Sequence, residues 1–263
     1  MILPNFIILG AAKAGTTALY HYLSQHPEIG MSRIKETNYL ALKDDSLDFR
    51  GPGDCDYIKR FTVTTEAGYH DQFAACAGRK AVGEASPLYL YDPRVAREIK
   101  NLVPDARLIA ILRDPVDRAY SAFLHLIRDR RETTADFFEA LQLEPGRIAD
   151  RWEHIWHYTA MGRYADQLAR YYEVFPREQV KVVIYCDFRA DPRGVIADIL
   201  RFLEVDETFP IDDSTRHNPG LPREHRPALT LAARQFVRDS LNDDTARLAD
   251  LIGRDLSHWM QPA

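Results

Sequence analysis

Ile7-Ile-Leu-Gly10-Ala-Ala-Lys13-Ala-Gly15-Thr16-Thr17-Ala-Leu19 is the stretch on which the reading of this chain turns. An apolar run ends in a loop of small residues, and a helix-forming stretch follows. Such a strand–loop–helix junction gathers several backbone N–H groups at one point, and the helix dipole adds positive potential there. The spot suits an anionic phosphate. Lys13 adds a mobile cation, Thr16 and Thr17 add hydroxyl donors, and Ala12, Ala14 and Gly15 offer backbone N–H groups. The pattern is GxxKxGTT, with the lysine two residues before Gly15. A Walker A loop, GxxxxGK[ST], has its lysine directly before the Ser/Thr, so the nucleotide-triphosphatase consensus is absent. The blander alternative is an ordinary βα turn with a solvated lysine.

Four apolar runs, Phe6–Leu9, Ala81–Gly83, Leu108–Leu112 and Val180–Ile184, are continuous and β-branched rather than alternating, as expected of strands covered on both faces. Helices are predicted between and after them, at Thr17–Ser24, Pro93–Asn101, Pro115–Arg128, Arg163–Phe175, Pro192–Leu203 and Ala228–Leu251. The third has Asp114 as its cap and Pro115 in its first turn. Asp44–Gly78 reads as loop with short helix, and Thr208–Pro227 as a long Pro-rich loop. Alternating strands and helices predict an α/β fold with a mostly parallel sheet.

Composition narrows the function classes. The 263 residues, 46% of them hydrophobic, suffice for one substantial core, read as a single domain over residues 1–263. A net charge of −5 does not suit a protein that coats nucleic acid or an anionic membrane. No apolar run is long enough to cross a bilayer. Met1–Gly10 lacks a basic leader and a small-residue cleavage site, so it reads as the first strand and not as a signal peptide. Cys55, Cys76 and Cys186, with no CxxC, read as reduced and mostly buried thiols, which predicts a cytoplasmic location. No His/Cys spacing points to a zinc site.

A second junction, Leu108-Ile-Ala-Ile-Leu-Arg113-Asp114-Pro115-Val-Asp-Arg118-Ala-Tyr120-Ser121, ends a strand in an arginine and starts a helix. Arg113 offers a forked cation suited to bidentate phosphate binding, and Ser121 a hydroxyl about two turns into the helix. Read alone, Arg113 is equally a surface ion-pair partner. Arg118 either pairs with Asp114 or Asp117 or lines the same site.

The two junctions together resemble those of sulfotransferases that use 3′-phosphoadenosine 5′-phosphosulfate (PAPS). The nearest resemblance is to heparan-sulfate-type and bacterial members. Gly10–Thr17 is similar to the family's 5′-phosphosulfate loop, and Arg113 with Ser121 to its 3′-phosphate motif. The resemblance implies a P-loop-type three-layer sandwich. It also implies PAPS as co-substrate with 3′,5′-bisphosphoadenosine (PAP) as product, no metal, and a Lys13 that stabilises the leaving nucleotide. Glu36, in Lys35-Glu36-Thr37-Asn38-Tyr39-Leu40, occupies the place of the family's catalytic base. His125, four residues after Ser121, is the second candidate. Arg216 and Arg223 resemble residues of a loop that covers the nucleotide. Where glycan 3-O-sulfotransferases carry Glu-Lys-Thr-Pro, this chain has Glu84-Ala85-Ser86-Pro87, which argues against assigning a heparan acceptor. Glu84 and Ser86 remain candidates for touching nucleotide or acceptor. Arg151–Tyr158, rich in aromatics, reads either as an acceptor wall or, preferably, as a packed face.

The implied reaction is in-line sulfonate transfer to a hydroxyl or amine of a small-molecule, glycan, lipid or polyketide acceptor. The alternatives are a P-loop kinase or nucleotide triphosphatase, and a nucleotide-binding module without catalysis.

Overall fold

Phe6-Ile-Ile-Leu-Gly10 forms strand β1 (Phe6–Gly10), and every residue of it is buried. Four more strands join it in one sheet: β2 (Ile29–Met31), β3 (Ala81–Ala85), β4 (Arg107–Leu112) and β5 (Val180–Ile184). Their order is β2-β3-β1-β4-β5, and all pairings are parallel. Leu108 to Leu112 have no exposed surface, which is why β1 and β4 carry unbroken apolar runs. The computed structural model describes residues 2–215, 217 and 220–261.

The helices of eight or more residues among these are α1 (Thr16–Leu23), α2 (Val95–Leu102), α3 (Pro115–Arg128), α4 (Phe137–Ala149), α5 (Tyr164–Tyr172), α6 (Pro192–Phe202) and α7 (Leu231–Ile252). The architecture is a parallel sheet flanked by helices, as the apolar runs predict. Of the strands and helices just named, two escape the sequence reading. β2 is three residues long with Gly30 at its centre, too short to stand out. α4 contains Pro145-Gly146, a pair that ordinarily marks a break. It forms because Asp136 caps it, accepting from the N–H groups of Phe138 and Glu139, and because its inner face is buried.

The chain divides into two compact units. The first comprises Met1–Ser46, Arg60–Leu112 and Ala169–Asn218, and it holds the whole sheet. The order of its strands reverses at β1: the chain moves from β1 to β2 and β3 on one side, then to β4 on the other. In open α/β sheets, ligand sites form at the carboxyl ends of the strands beside such a reversal. Gly83 on β3 permits the closest of the strand contacts, since a Cβ there would run into the Phe6 ring.

The second unit comprises Leu47–Lys59, Arg113–Leu168 and Pro219–Ala263. Phe123 and Leu126 of α3, Phe137 and Leu141 of α4, Val237 and Leu241 of α7, and Trp156 and Tyr158 form its core. Buried ions brace that core. Arg131 pairs with Asp54 and with Glu153 at 3.2 Å, and Asp54 also accepts from the Trp156 indole at 2.8 Å. Arg147 pairs with Glu132 at 2.6 Å. Trp152–Tyr158 is thus largely packed interior, the preferred of the two readings of that segment. None of the three cysteines forms a disulfide, but Cys186 is exposed, against the expectation of burial. No helix among the described residues is long and apolar enough to cross a membrane.

His157 in this unit makes stability depend on pH. Burial, reinforced by the neighbouring His154, lowers its pKa from 6.5 to about 3. The folded state therefore holds the imidazole neutral, while the unfolded chain takes up a proton below about pH 6.5. The contribution is present above that pH and is lost as pH falls toward 3. Chemical denaturation at pH 7 and pH 5 should show wild type losing about 2 kcal/mol more unfolding free energy than His157→Gln. Equal losses would mean that the ring is already protonated in the folded protein.

Candidate active site

β1 delivers the lysine loop to the carboxyl edge of the sheet. The loop turns by placing Lys13 at φ 67° and Gly15 at φ 104°, both left-handed. Ala11 N–H donates to the Ile111 carbonyl of β4 at 2.7 Å, and Ala14 N–H to the Ala11 carbonyl at 3.2 Å. Gly15 caps α1 with no side-chain acceptor, and no acidic residue lies in the first helical turn. First-turn N–H groups have no acceptor within their own helix, and they carry the positive end of the dipole. Thr16 is buried, whereas Ala12, Lys13 and Thr17 are half-buried around the same turn. The result is a cradle for an anion, built from backbone donors with one cationic side chain beside it.

Glu36 comes to the same edge from another direction. Its N–H donates to the carbonyl of Ala85, the last residue of β3, at 2.9 Å. Ala85 pairs with Ile8, two residues before Gly10. The Glu36 side chain is 34% exposed and ion-paired with Lys35. Lys13 and Glu36 therefore share the carboxyl end of the β3–β1 pair within one unit.

Beneath Glu36 lies a polar cluster. Glu84 has no exposed surface and accepts from four hydroxyls: Thr37 at 2.6 Å, Ser86 at 2.9 Å, Tyr89 at 3.2 Å, and Tyr69. Burial raises the pKa of its carboxyl, and the hydroxyl bonds act in the opposite sense. Glu84 and Ser86 are thus occupied inside the protein, which replaces the expectation that they touch nucleotide or acceptor. The sequence carries no signal for this cluster, because its members are scattered from Thr37 to Tyr89.

The second unit carries the other candidates. Arg113 is the residue next after β4, and it pairs with Asp117 at 3.6 Å. The Tyr164 hydroxyl donates to the Arg113 carbonyl at 3.1 Å, and Asp114 caps α3 through the N–H groups of Val116 and Asp117. Ser121 is half-buried two turns along α3, with His125 one turn further. His125 is engaged by the protein, with Nδ1 2.7 Å from Arg128 and Nε2 3.5 Å from both Asp129 and the Tyr57 hydroxyl. Arg118 does not pair with Asp114 or Asp117, one of the two roles read from the sequence. It has no exposed surface, it bonds the Tyr158 carbonyl, and among the described residues no partner meets its Nε or Nη1. Arg223 is exposed in a short turn, Arg223–His225. Arg216 lies outside the described residues.

The model of the Sulfotransferase family matches residues 4–209. A sulfotransferase structure from Alicyclobacillus acidocaldarius is 41% identical, with a TM-score of 0.89, covering 99% of this chain and 100% of that one. Human carbohydrate sulfotransferase 15 is 26% identical, over 98% of this chain and 54% of its own length. Human bifunctional heparan sulfate N-deacetylase/N-sulfotransferase 3 is 28% identical, over 77% of this chain and 22% of its own length. The chain spans about half or less of the length of these curated relatives.

Gly15 tests the cradle directly. A Cβ there would sit 2.9 Å from the Tyr185 ring, on a backbone that side chains seldom adopt. Gly15→Ala should lower unfolding free energy by about 1–2 kcal/mol, which chemical denaturation measures. Wild-type stability in this variant would mean that the loop takes up the new methyl group without strain.

Proposed function

We propose that this chain, which belongs to the sulfotransferase family, moves a sulfonate group from PAPS to a hydroxyl or amine of an acceptor. The observation that carries the reading is the bond from Ala11 N–H to the Ile111 carbonyl. It ties the lysine loop to β4, the strand that Arg113 directly follows. A nucleotide phosphorylated at both ends needs two anchors, and a simple triphosphate site needs one. We read the two units as parts of one sulfotransferase domain, since each carries one of the two phosphate motifs.

In this reading the backbone N–H groups of Ala12–Thr17 and the Thr16 and Thr17 hydroxyls hold the 5′-phosphate, while Arg113 and Ser121 hold the 3′-phosphate. Arg216 and Arg223 supply further positive charge. PAPS supplies an activated sulfonate whose sulfur–oxygen bond to the phosphate breaks as the acceptor's bond to sulfur forms. Lys13 stabilises negative charge on the departing bridging oxygen. Glu36 takes the acceptor's proton, and its position near Lys13 supports that role. His125 is the second candidate for the base, although its contacts with Arg128 and Asp129 favour Glu36. Sulfonate transfer makes the demands of phosphoryl transfer, chiefly in-line positioning and charge stabilisation. Acceptors of the carbohydrate class come first, because the relatives' names point there. Ala85 stands where a lysine would mark glycan 3-O-transfer, so heparan is not singled out among them.

Purified protein incubated with radiolabelled PAPS and desulfated glycosaminoglycans, lipids and small natural products tests the reading. Labelled product is expected with wild type. Arg113→Ala should weaken PAP binding about ten- to a hundredfold. Lys13→Ala should depress turnover, and Glu36→Gln should depress it with PAP affinity held. ATP turnover without PAPS turnover would overturn the proposal in favour of a kinase or triphosphatase. Tight PAP binding with no transfer to any acceptor would leave a binding module.

A further inference from the structure

Glu84 is a buried carboxylate that no arginine or lysine among the described residues neutralises, and such a group is costly to keep. Its oxygens are met instead by hydroxyls from Thr37, Ser86, Tyr69 and Tyr89. One ionised carboxylate offers about four lone-pair sites, so four donors can saturate it. An apolar side chain of similar volume would fill this space at lower cost. The question is what the acid holds in place.

The segment above it answers. Glu36 and Asn38 both sit at positive φ, 68° and 50°. Non-glycine residues persist there only where their surroundings over-determine the backbone. Here each residue is pinned in turn. Glu36 N–H bonds the Ala85 carbonyl at 2.9 Å, and the Thr37 hydroxyl bonds Glu84 at 2.6 Å. Asn38 N–H bonds the Ser86 hydroxyl at 3.2 Å, and Leu40 N–H bonds the Tyr89 hydroxyl at 3.2 Å. Ser86 and Tyr89 also donate to Glu84, so three of the four anchors run through it or its donors. Tyr39 stacks on Tyr69, whose hydroxyl is the fourth donor, with ring centroids 4.5 Å apart.

We infer that Glu84 is a positioning residue for sulfonate transfer: through the Thr37 hydroxyl it fixes the backbone that aims the Glu36 carboxylate. The inference rests on the reading of Glu36 as base given above. Glu84 touches neither nucleotide nor acceptor, so its removal should change the rate of the chemical step and leave ground-state nucleotide binding in place.

Thr37→Val tests this with little loss of volume, and Thr37→Ser restores the hydroxyl. With radiolabelled PAPS and the acceptor that wild type labels best, Thr37→Val should lower kcat roughly ten- to a hundredfold. KM for PAPS and Kd for PAP should stay within about twofold of wild type, because an effect on positioning alone falls on kcat. Thr37→Ser should recover most of the lost kcat. In a Glu36→Gln background, Thr37→Val should bring no further loss, since the hydroxyl acts only through Glu36. Glu84→Gln should behave as Thr37→Val does. The inference falls if Thr37→Val turns over like wild type, if it loses PAP binding along with kcat, or if the double variant loses the product of the two single effects. A wild type that binds PAP but transfers no sulfonate overturns the base assignment first, and the inference with it.

Discussion

The parallel pairing of β1 with β4 is the constraint on which the rest depends. It sets Phe6 beside Arg107 and Ile8 beside Ile109, and it shifts register between Ile8 and Gly10, where β1 gives way to its loop. That shift leaves Ala11 N–H to bond Ile111. The loop cannot slide along the sheet without breaking this bond. The Lys13 loop thus owes its place to backbone hydrogen bonds and apolar burial.

Buried acids are held in two ways, by arginines or by hydroxyl and N–H donors. In the second unit, Asp54 and Glu153 share one guanidinium nitrogen of Arg131, and Glu132 meets Arg147 through both of its terminal nitrogens. These pairs lock a long loop against a helical core. In the first, Glu84 is matched to hydroxyls that belong to three separate segments. Hydroxyls divide the carboxyl group's hydrogen bonds over several tethers. The effect is to fasten Arg33–Leu40 to the sheet against a backbone strain of about 1–2 kcal/mol for each left-handed residue.

Much of the architecture could be read from residues alone, for a definite reason. β1 and β4 are covered by neighbours, and burial writes itself as unbroken runs of apolar residues. α3 announces itself through Asp114-Pro115. β2 stays hidden because three residues with a central glycine hold no periodicity. α4 stays hidden because Pro145-Gly146 weighs against it locally, while the packing of Phe137 and Leu141 that decides the matter is tertiary. The candidate site divides in the same way. Lys13 and Arg113 sit at strand ends, where local pattern is strong. Glu36 is marked only by its likeness to a family motif. The acid beneath it and its hydroxyls lie up to 52 residues apart in sequence, a relation that only the folded chain reveals. Arg118 shows the reverse error: its acidic neighbours in sequence suggest a surface pair, yet it faces inward.

A ribosome completes β1 almost a hundred residues before it reaches Arg107. At ordinary elongation rates of about 5–20 residues per second, Phe-Ile-Ile-Leu waits roughly 5–20 s with one edge bare, and nearly as long for β3 on the other. A strand with two unpaired edges and no charge is an adhesive object during that interval. Its position at the middle of the finished sheet, which makes it the best-protected element once folded, makes it the most exposed one while the polypeptide is still growing. Slow, long-range closure of this kind brings chaperone dependence within the nascent chain's needs, whatever the stability of the product.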